Sequence, residues 1–398
     1  MPRKSDLKDD GVVIKIEKID TYLVDLPTIR PHILSMTTIS RQTLAVVEIH
    51  CDDGSMGIGE GTTIGGLAYG PESPEGIKLA IDTYFAPLLI GCDADRPAAA
   101  MALLDRHIVG NHFAKNAIET ALLDALGRRL GLSLSMLLGG QVRDSVPVLW
   151  TLASGDTGRD IDEAAEMVAR RRHNAFKLKI GKRPVAEDVA HVAAIKRALG
   201  DAVSIRVDIN QAWDEPTARE GIARLADAGA DLVEQPVPAW NRGAMRRLTA
   251  EARIPIMADE ALRGPADGFD FAAQAAAHIF SIKPAQAGGL FAAGKLAAIA
   301  GAAGVAVYGG TMLEAGIGTA AAAHLCATLP RLEWGTELFG PLLLTEEILT
   351  APLAYHDFAL DIPDAPGLGI HLDPDKIARF RRDRTRSAPL SVPAIAKA

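Results

Sequence analysis

Cysteine is scarce in this chain. Its 398 residues include three, Cys51, Cys92 and Cys326, and no pair has Cys-x-x-Cys spacing. That excludes a disulfide framework and argues against a structural zinc site. Long apolar runs are absent too. No stretch approaches the roughly 18 residues of a membrane span, and Met1 to Asp10 is polar and charged, unlike a signal peptide. Positive charge is in deficit, with 42 Lys and Arg against 50 Asp and Glu, a formal net charge of −8. Such a balance argues against nucleic acid or an anionic membrane as the main partner. It leaves room for a small anionic substrate, because a few buried lysines or a cation reverse the field locally. Several catalytic signatures are also missing. The ten histidines form no His-Glu-x-x-His or i,i+4 pair. There is no Gly-x-Ser-x-Gly elbow, and Gly57-x-Gly59-x-Gly61 has neither dinucleotide nor P-loop spacing. What remains, 48% hydrophobic and 23% charged, is ordinary globular composition. The expectation is a soluble, cytoplasmic protein.

Residues 1–11 read as a flexible lead and 383–398 as a disordered tail. Val12–Val24 and Thr43–His50 are rich in Val and Ile and predict strands. The proline-bearing segment between them, Leu26–Met36, predicts a lid loop containing His32, and Gly54–Gly70 predicts a second mobile loop. Ala114–Leu130 repeats Ala and Leu at helical spacing and stops at Arg128, Arg129 and Gly131. Residues 12–140 therefore predict an α+β unit. Beyond Val142 eight short apolar runs recur: Val146–Thr151, Ala175–Ile180, Ser204–Ile209, Asp231–Gln235, Ile254–Ala258, His278–Ile282, Val305–Tyr308 and Leu332–Thr336. Amphipathic stretches separate them. Strands alternating with helices at this spacing predict an α/β barrel over 141–345, with a doubly wound sheet as the competing topology. Residues 346–382 form one further mixed segment.

The chemistry sits where these runs stop. Lys177 and Lys179 lie two apart, on one face of a strand. Asp208 and Asn210 repeat that spacing. Glu234, Asp259 and Lys283 end the next three runs, and Glu337 follows the last. Any one carboxylate alone is more often a helix cap or an ion-pair partner, and any one lysine a side chain reaching for water. Together, at equivalent ends of consecutive barrel strands, they converge on one mouth. Three convergent carboxylates repel unless a cation stands between them. Oxygen-only ligands favour Mg²⁺ or Mn²⁺ over zinc. A cation and a neighbouring ammonium both lower a lysine's pKa, so Lys179 beside Lys177 is expected to exchange protons near neutral pH. The residues point to metal-assisted proton chemistry next to a substrate carboxylate. Backbone N–H groups of Gly309-Gly-Thr-Met-Leu313 either hold a second anionic group or simply form a tight turn. A Schiff-base aldolase using Lys283 and a non-catalytic binding protein are the competing classes.

Lys177-x-Lys179, Asp208-x-Asn210, Glu234-Gln-Pro236, Asp259-Glu260 and Lys283 resemble the enolase superfamily, muconate-cycloisomerase subgroup, from about Val12 to Arg382. Ala114-Lys-Asn-Ala-Ile-Glu119, Leu137-Leu-Gly-Gly140, Thr62–Gly70, Thr151–Asp156 and Trp334–Glu347 add to the likeness. The resemblance implies a (β/α)7β modified TIM barrel with an α+β capping domain, to which residues 346–382 return. It implies a cycloisomerase that closes cis,cis-muconate to muconolactone through a metal-stabilised enolate. Chloromuconate cyclisation, or racemisation or epimerisation of an N-acyl amino acid or dipeptide, is the alternative. By the same likeness Lys179 is the acid/base, with Lys177, Lys283 and Glu337 as its catalytic companions. Asp208, Glu234 and Asp259 are metal ligands for Mn²⁺ or Mg²⁺. His32, Ile64, Tyr69 and Asn210 contact a dicarboxylate substrate. A homo-oligomer, usually an octamer, is implied as well. Ile33 and Gln286 stand where the resemblance implies lysines.

Overall fold

The structure is a computed structural model that describes residues 13–33 and 37–382. The expected lead, the expected tail, part of the expected lid and the side chain of Ile33 lie outside the described residues. Three antiparallel strands open the chain: Ile16–Ile33, Thr38–Cys51 and Met56–Thr62, in that spatial order. The expected lid is thus partly strand. Pairing runs to Pro27 opposite Arg41, slips, and resumes at His32 opposite Ile39. The prolines fall at this irregularity, where a missing N–H is tolerated.

The expected glycine loop is also partly strand, and its glycines have a packing role. The helix His112–Leu130 is buried on nearly every side, so it must lie directly on the third strand. A Cβ at Gly59 would stand 1.9 Å from the Ala117 carbonyl oxygen, and one at Gly57 2.0 Å from that of Ala121. The two periods match. Two strand residues advance about 6.8 Å and four helical residues about 6 Å, so alternate glycines meet successive turns. Gly59→Ala is expected to lower stability by about 3 kcal/mol, the upper range for overpacking, as a drop in urea midpoint. An unchanged midpoint would show that the helix can move away.

Seven parallel strands follow in one curled sheet: Trp150–Leu152, Ala175–Lys179, Ser204–Asp208, Leu232–Glu234, Ile256–Ala258, Ile279–Ile282 and Ala306–Gly309. They alternate with helices Thr157–Ala169, Val185–Leu199, Glu215–Asp227, Arg242–Glu251, Pro265–Ala273, Leu290–Ala302 and Gly316–Thr328. The eighth run forms no strand of its own. Thr336 instead makes single parallel bridges to Gly309 on one side and Val148 on the other, joining the last strand to the chain just ahead of the first. The result is the (β/α)7β ring. Outward Phe176, Leu178, Ile205 and Val207 pack under the helices, so both faces of each strand are buried, as in a parallel sheet. The first run splits, because Ser145–Pro147 leaves for a small antiparallel sheet with Ala359–Asp361 and Tyr355–His356. The last segment reaches the N-terminal unit, where Arg382 pairs with Asp25 and the Leu368 N–H donates to Asp124.

Two acids of the N-terminal unit clip into the barrel. Glu60 accepts hydrogen bonds from the N–H groups of Ala315 and Gly318 (both 2.8 Å), at the start of helix Gly316–Thr328. Glu119 accepts from the Phe291 N–H (3.1 Å) at the start of helix Leu290–Ala302. Unpaired N–H groups and the helix dipole favour an acid there, while burial pushes both carboxyls up to about 7. The folded state therefore holds these protons more tightly than the unfolded chain. Their stabilising contribution is complete below the unfolded value and is lost as pH rises through about 7. Burial depresses His32, His173 and His324 to about 3, 4 and 4, so their effect is confined to pH below their unfolded value near 6.5. Glu347 and Glu260, which burial pushes up to about 8, lose their contribution over the same range. Unfolding free energy is expected to fall by at least about 1.5 kcal/mol between pH 6.5 and 8. Flat or rising stability in chemical denaturation at the two pH values would contradict this.

Candidate active site

Parallel register lines up the first part of the site. Lys179 pairs with Asp208, and Asp208 with Glu234, so three charged residues end three adjacent strands side by side. Asp259 follows the fifth strand and Lys283 the sixth, and Glu337 follows the closing bridge at Thr336. From the N-terminal unit come His32 on the first strand, and Ile64 and Tyr69 on the loop after the third. Every side chain expected at the site lines one cavity: Lys177, Lys179, Lys283, Glu337, Asp208, Glu234, Asp259, His32, Ile64, Tyr69 and Asn210. Thr151, Thr311, Leu313 and Phe339 line it as well; each lies in a segment singled out in the sequence, Thr151–Asp156, Gly309–Leu313 or Trp334–Glu347, but none was named as a site residue.

The charges are nearly all buried. The Lys177 ammonium lies 2.9 Å from Glu234 and 3.8 Å from Asp208, and it also pairs with Glu337. Lys179 pairs with Asp208 and donates to the Asn210 carbonyl oxygen at 3.2 Å. Lys283 stands 2.6 Å from Asp259 and 3.0 Å from the Tyr69 hydroxyl. Burial alone would lower Lys177, but the surrounding carboxylates outweigh it and hold its ammonium well above the ordinary lysine value. Lys283 is raised in the same way, chiefly by Asp259. Burial pushes Glu234 well above the carboxylate range, reinforced by Asp208. Asp259 is held below it by Lys283 despite its burial.

Second-layer contacts fix these groups. Gln235 has φ +34°, a backbone state that L residues rarely adopt. Its side-chain oxygen accepts from the N–H groups of Asp259 (3.0 Å) and Ala261 (3.3 Å), clamping the turn that carries Asp259. Asn210, at φ +45°, donates to Glu260 at 3.1 Å. Burial beside Asp259 and Asp208 pushes Glu260 up to about 8. The Gly309–Leu313 turn does not offer free N–H groups. The Thr311 N–H goes to Glu337, that of Met312 to Glu314 and that of Leu313 to the Thr311 hydroxyl. Of the two readings of this segment, the tight turn holds. Gln286 does not line the cavity itself, but its side-chain oxygen lies 3.2 Å from the Tyr69 hydroxyl, which does.

The acids offer what a hard cation needs. Glu234 Oε1, Asp259 Oδ1 and Glu260 Oε2 are buried without a hydrogen-bond partner, a state expensive for a carboxylate oxygen unless a ligand completes it. The oxygens of Asp208, Glu234 and Asp259 are not all within 4.8 Å of one another, since the lysine ammoniums stand among them. Among the described residues, Asp20, Glu48 and His50 form the group that tight. Those three are partly exposed on neighbouring strands and already engaged by Lys18, Tyr22 and one another. The barrel acids, deeper and with open oxygens, are the better donor set.

A polar barrel mouth roofed by an α+β unit, with lysines facing one another across acids, defines an enzyme that moves protons beside a carboxylate. Comparison with known proteins makes the class specific. Residues 18–139 match the N-terminal domain of mandelate racemase / muconate lactonizing enzyme, and 159–376 match the enolase C-terminal domain-like family. The chain belongs to the mandelate racemase / muconate lactonizing enzyme family. It is 59% identical over 379 residues to muconate cycloisomerase 1-2 of Acinetobacter lwoffii, covering 95% of this chain and 98% of that protein. It is 57% identical to muconate cycloisomerase 1 of Pseudomonas putida, covering 93% and 99%. A crystal structure of muconate lactonizing enzyme from Pseudomonas fluorescens complexed with muconolactone superposes with a TM-score of 0.92, at 57% identity over 93% of this chain and 100% of that one.

Proposed function

We propose that this protein is a muconate cycloisomerase that closes cis,cis-muconate to muconolactone. The observation that carries the reading is the row Lys179, Asp208 and Glu234 in direct register, with an open carboxylate oxygen on Glu234. Asp208, Glu234 and Asp259 would hold a divalent cation, Mn²⁺ or Mg²⁺. When bound, that ion supplies positive charge to a substrate carboxylate as negative charge builds on it.

The chain's own residues do the rest. One carboxylate oxygen of the diacid forms a C–O bond to the diene. The displaced electron pair moves to the carbon beside the second carboxylate, and Lys179 gives that carbon a proton. Lys177, fixed between Glu234 and Glu337, stays cationic and supports the developing charge. Lys283 stands on the opposite flank, beside Asp259. Glu337 is a second proton carrier. Asn210 orients Lys179 through its side-chain oxygen. His32, neutral because burial and the nearby lysines depress it, offers an uncharged imidazole with a free Nδ1. Ile64 and Tyr69 cover the substrate and exclude water.

Relatives named chloromuconate cycloisomerase are 48–49% identical, against 53–59% for those named muconate cycloisomerase, which favours the unsubstituted diacid. No described helix is long and apolar enough to cross a membrane, in keeping with a cytoplasmic enzyme, which we infer to be a homo-oligomer. The test is direct. Purified protein with Mn²⁺ and cis,cis-muconate is expected to remove the diene absorbance. No loss at high enzyme concentration sinks the reading, and a higher kcat/KM for chloromuconate replaces it with the halogenated one. Deuterium exchange at the α-carbon of an N-acyl amino acid would instead mark a racemase.

A further inference from the structure

Gln286 is buried in the short helix Pro284–Ala287, just after Lys283, and its amide is used at both ends. Nε2 donates to the carbonyls of Asp259 (2.7 Å) and Leu262 (2.8 Å), in the turn after the fifth strand. Oε1 accepts from the Tyr69 hydroxyl (3.2 Å). Its main-chain carbonyl lies 2.9 Å from His112 Nδ1, at the start of the long helix of the N-terminal unit. One residue thus ties the Asp259 turn to the loop that roofs the cavity.

The Tyr69 hydroxyl accepts from Lys283 and has a single proton for two acceptors, Asp259 Oδ2 (2.9 Å) and Gln286 Oε1 (3.2 Å). We infer that Gln286 is a positioning residue that keeps Tyr69 docked over the site by supplying the second acceptor. When the Asp259 carboxylate is engaged by another ligand, Gln286 Oε1 still receives the phenol proton, and the 63–70 loop stays on the barrel. This takes a hydrogen-bond acceptor, and an amide joins such an acceptor to the two donors that grip the turn. The inference rests on the roles proposed above for Tyr69 and Asp259.

The test is a cycle of Gln286→Met, Tyr69→Phe and the double variant, with three readouts. Hydrogen–deuterium exchange of residues 63–70 is measured without substrate, and Gln286→Met is expected to speed it at least fivefold while the barrel strands exchange as before. On muconate, KM is expected to rise about fivefold in Gln286→Met, the order of one hydrogen bond, with kcat within twofold, and at least as much in Tyr69→Phe, which also loses its bonds to Lys283 and Asp259. The double variant is expected to be no worse than the poorer single one, because both act through the same contact. Mn²⁺ affinity by calorimetry is expected to stay within threefold. Unchanged loop exchange overturns the inference, as do additive KM effects. A fall in kcat together with Mn²⁺ affinity also overturns it, since that would mean Gln286 merely supports the Asp259 turn. If the wild-type protein leaves muconate untouched, the proposed function fails, and loop exchange still decides the docking role.

Discussion

Replacing Lys179 by alanine is expected to cut kcat on cis,cis-muconate by about 10³-fold or more, within the range of a lost general acid. The fold should survive, because Lys179 is the most exposed of the site lysines at 14%, and Asp208 keeps the Asn210 N–H as a partner. Circular dichroism and the urea midpoint of the variant are expected to match the parent. Lys179→Arg separates charge from proton transfer. A guanidinium keeps the positive charge but does not release a proton in the working range. It is therefore expected to be nearly as inactive as the alanine variant. Activity of Lys179→Arg above a tenth of the parent would assign the residue an electrostatic role only, and leave Lys177 or Glu337 as the proton donor.

Chelation is the second large effect. Exhaustive EDTA treatment is expected to bring turnover to background, with Mn²⁺ or Mg²⁺ restoring it. Stability should follow the same course. A cation that binds only the folded protein adds about 2.7 kcal/mol at a hundred times its Kd, so the melting temperature should rise with added Mn²⁺ even without substrate. Glu234→Gln is expected to lose both effects, since it removes an acid with an open, buried oxygen. If Asp20→Asn, on the N-terminal strands, abolished the thermal shift instead, the ion would belong with Glu48 and His50 and the barrel acids would have another purpose.

The barrel and its chemistry were legible in the sequence for a common reason. Short β-branched runs that end in a charge announce both the strand and the mouth at its end, and Lys179, Asp208 and Glu234 are such endings. What stayed hidden depends on partners far along the chain. Gly57 and Gly59 read as loop residues by local propensity, yet they are strand residues facing a helix some sixty residues later. The Gly309–Leu313 turn resembles an anion cradle until Glu337 and Glu314 are seen to occupy its N–H groups. Gln235 and Gln286, both amides with every polar atom engaged, carry no local signal of their clamping roles. The eighth run has a strand's composition but contributes only two isolated bridges, both at Thr336.

The clips made by Glu60 and Glu119 bear on how this architecture can be recombined. Each acid sits in the N-terminal unit and closes off a helix belonging to the barrel. A chimera that grafts a roof from a distant homologue to acquire new substrate tolerance must bring a carboxylate to both positions. Without them, two helix beginnings are left buried and unsatisfied at the seam, and the hybrid fails at assembly before its pocket can be tried. Substrate range can be diversified more freely at Ile64, which lines the cavity, provided Tyr69 keeps its bonds to the barrel.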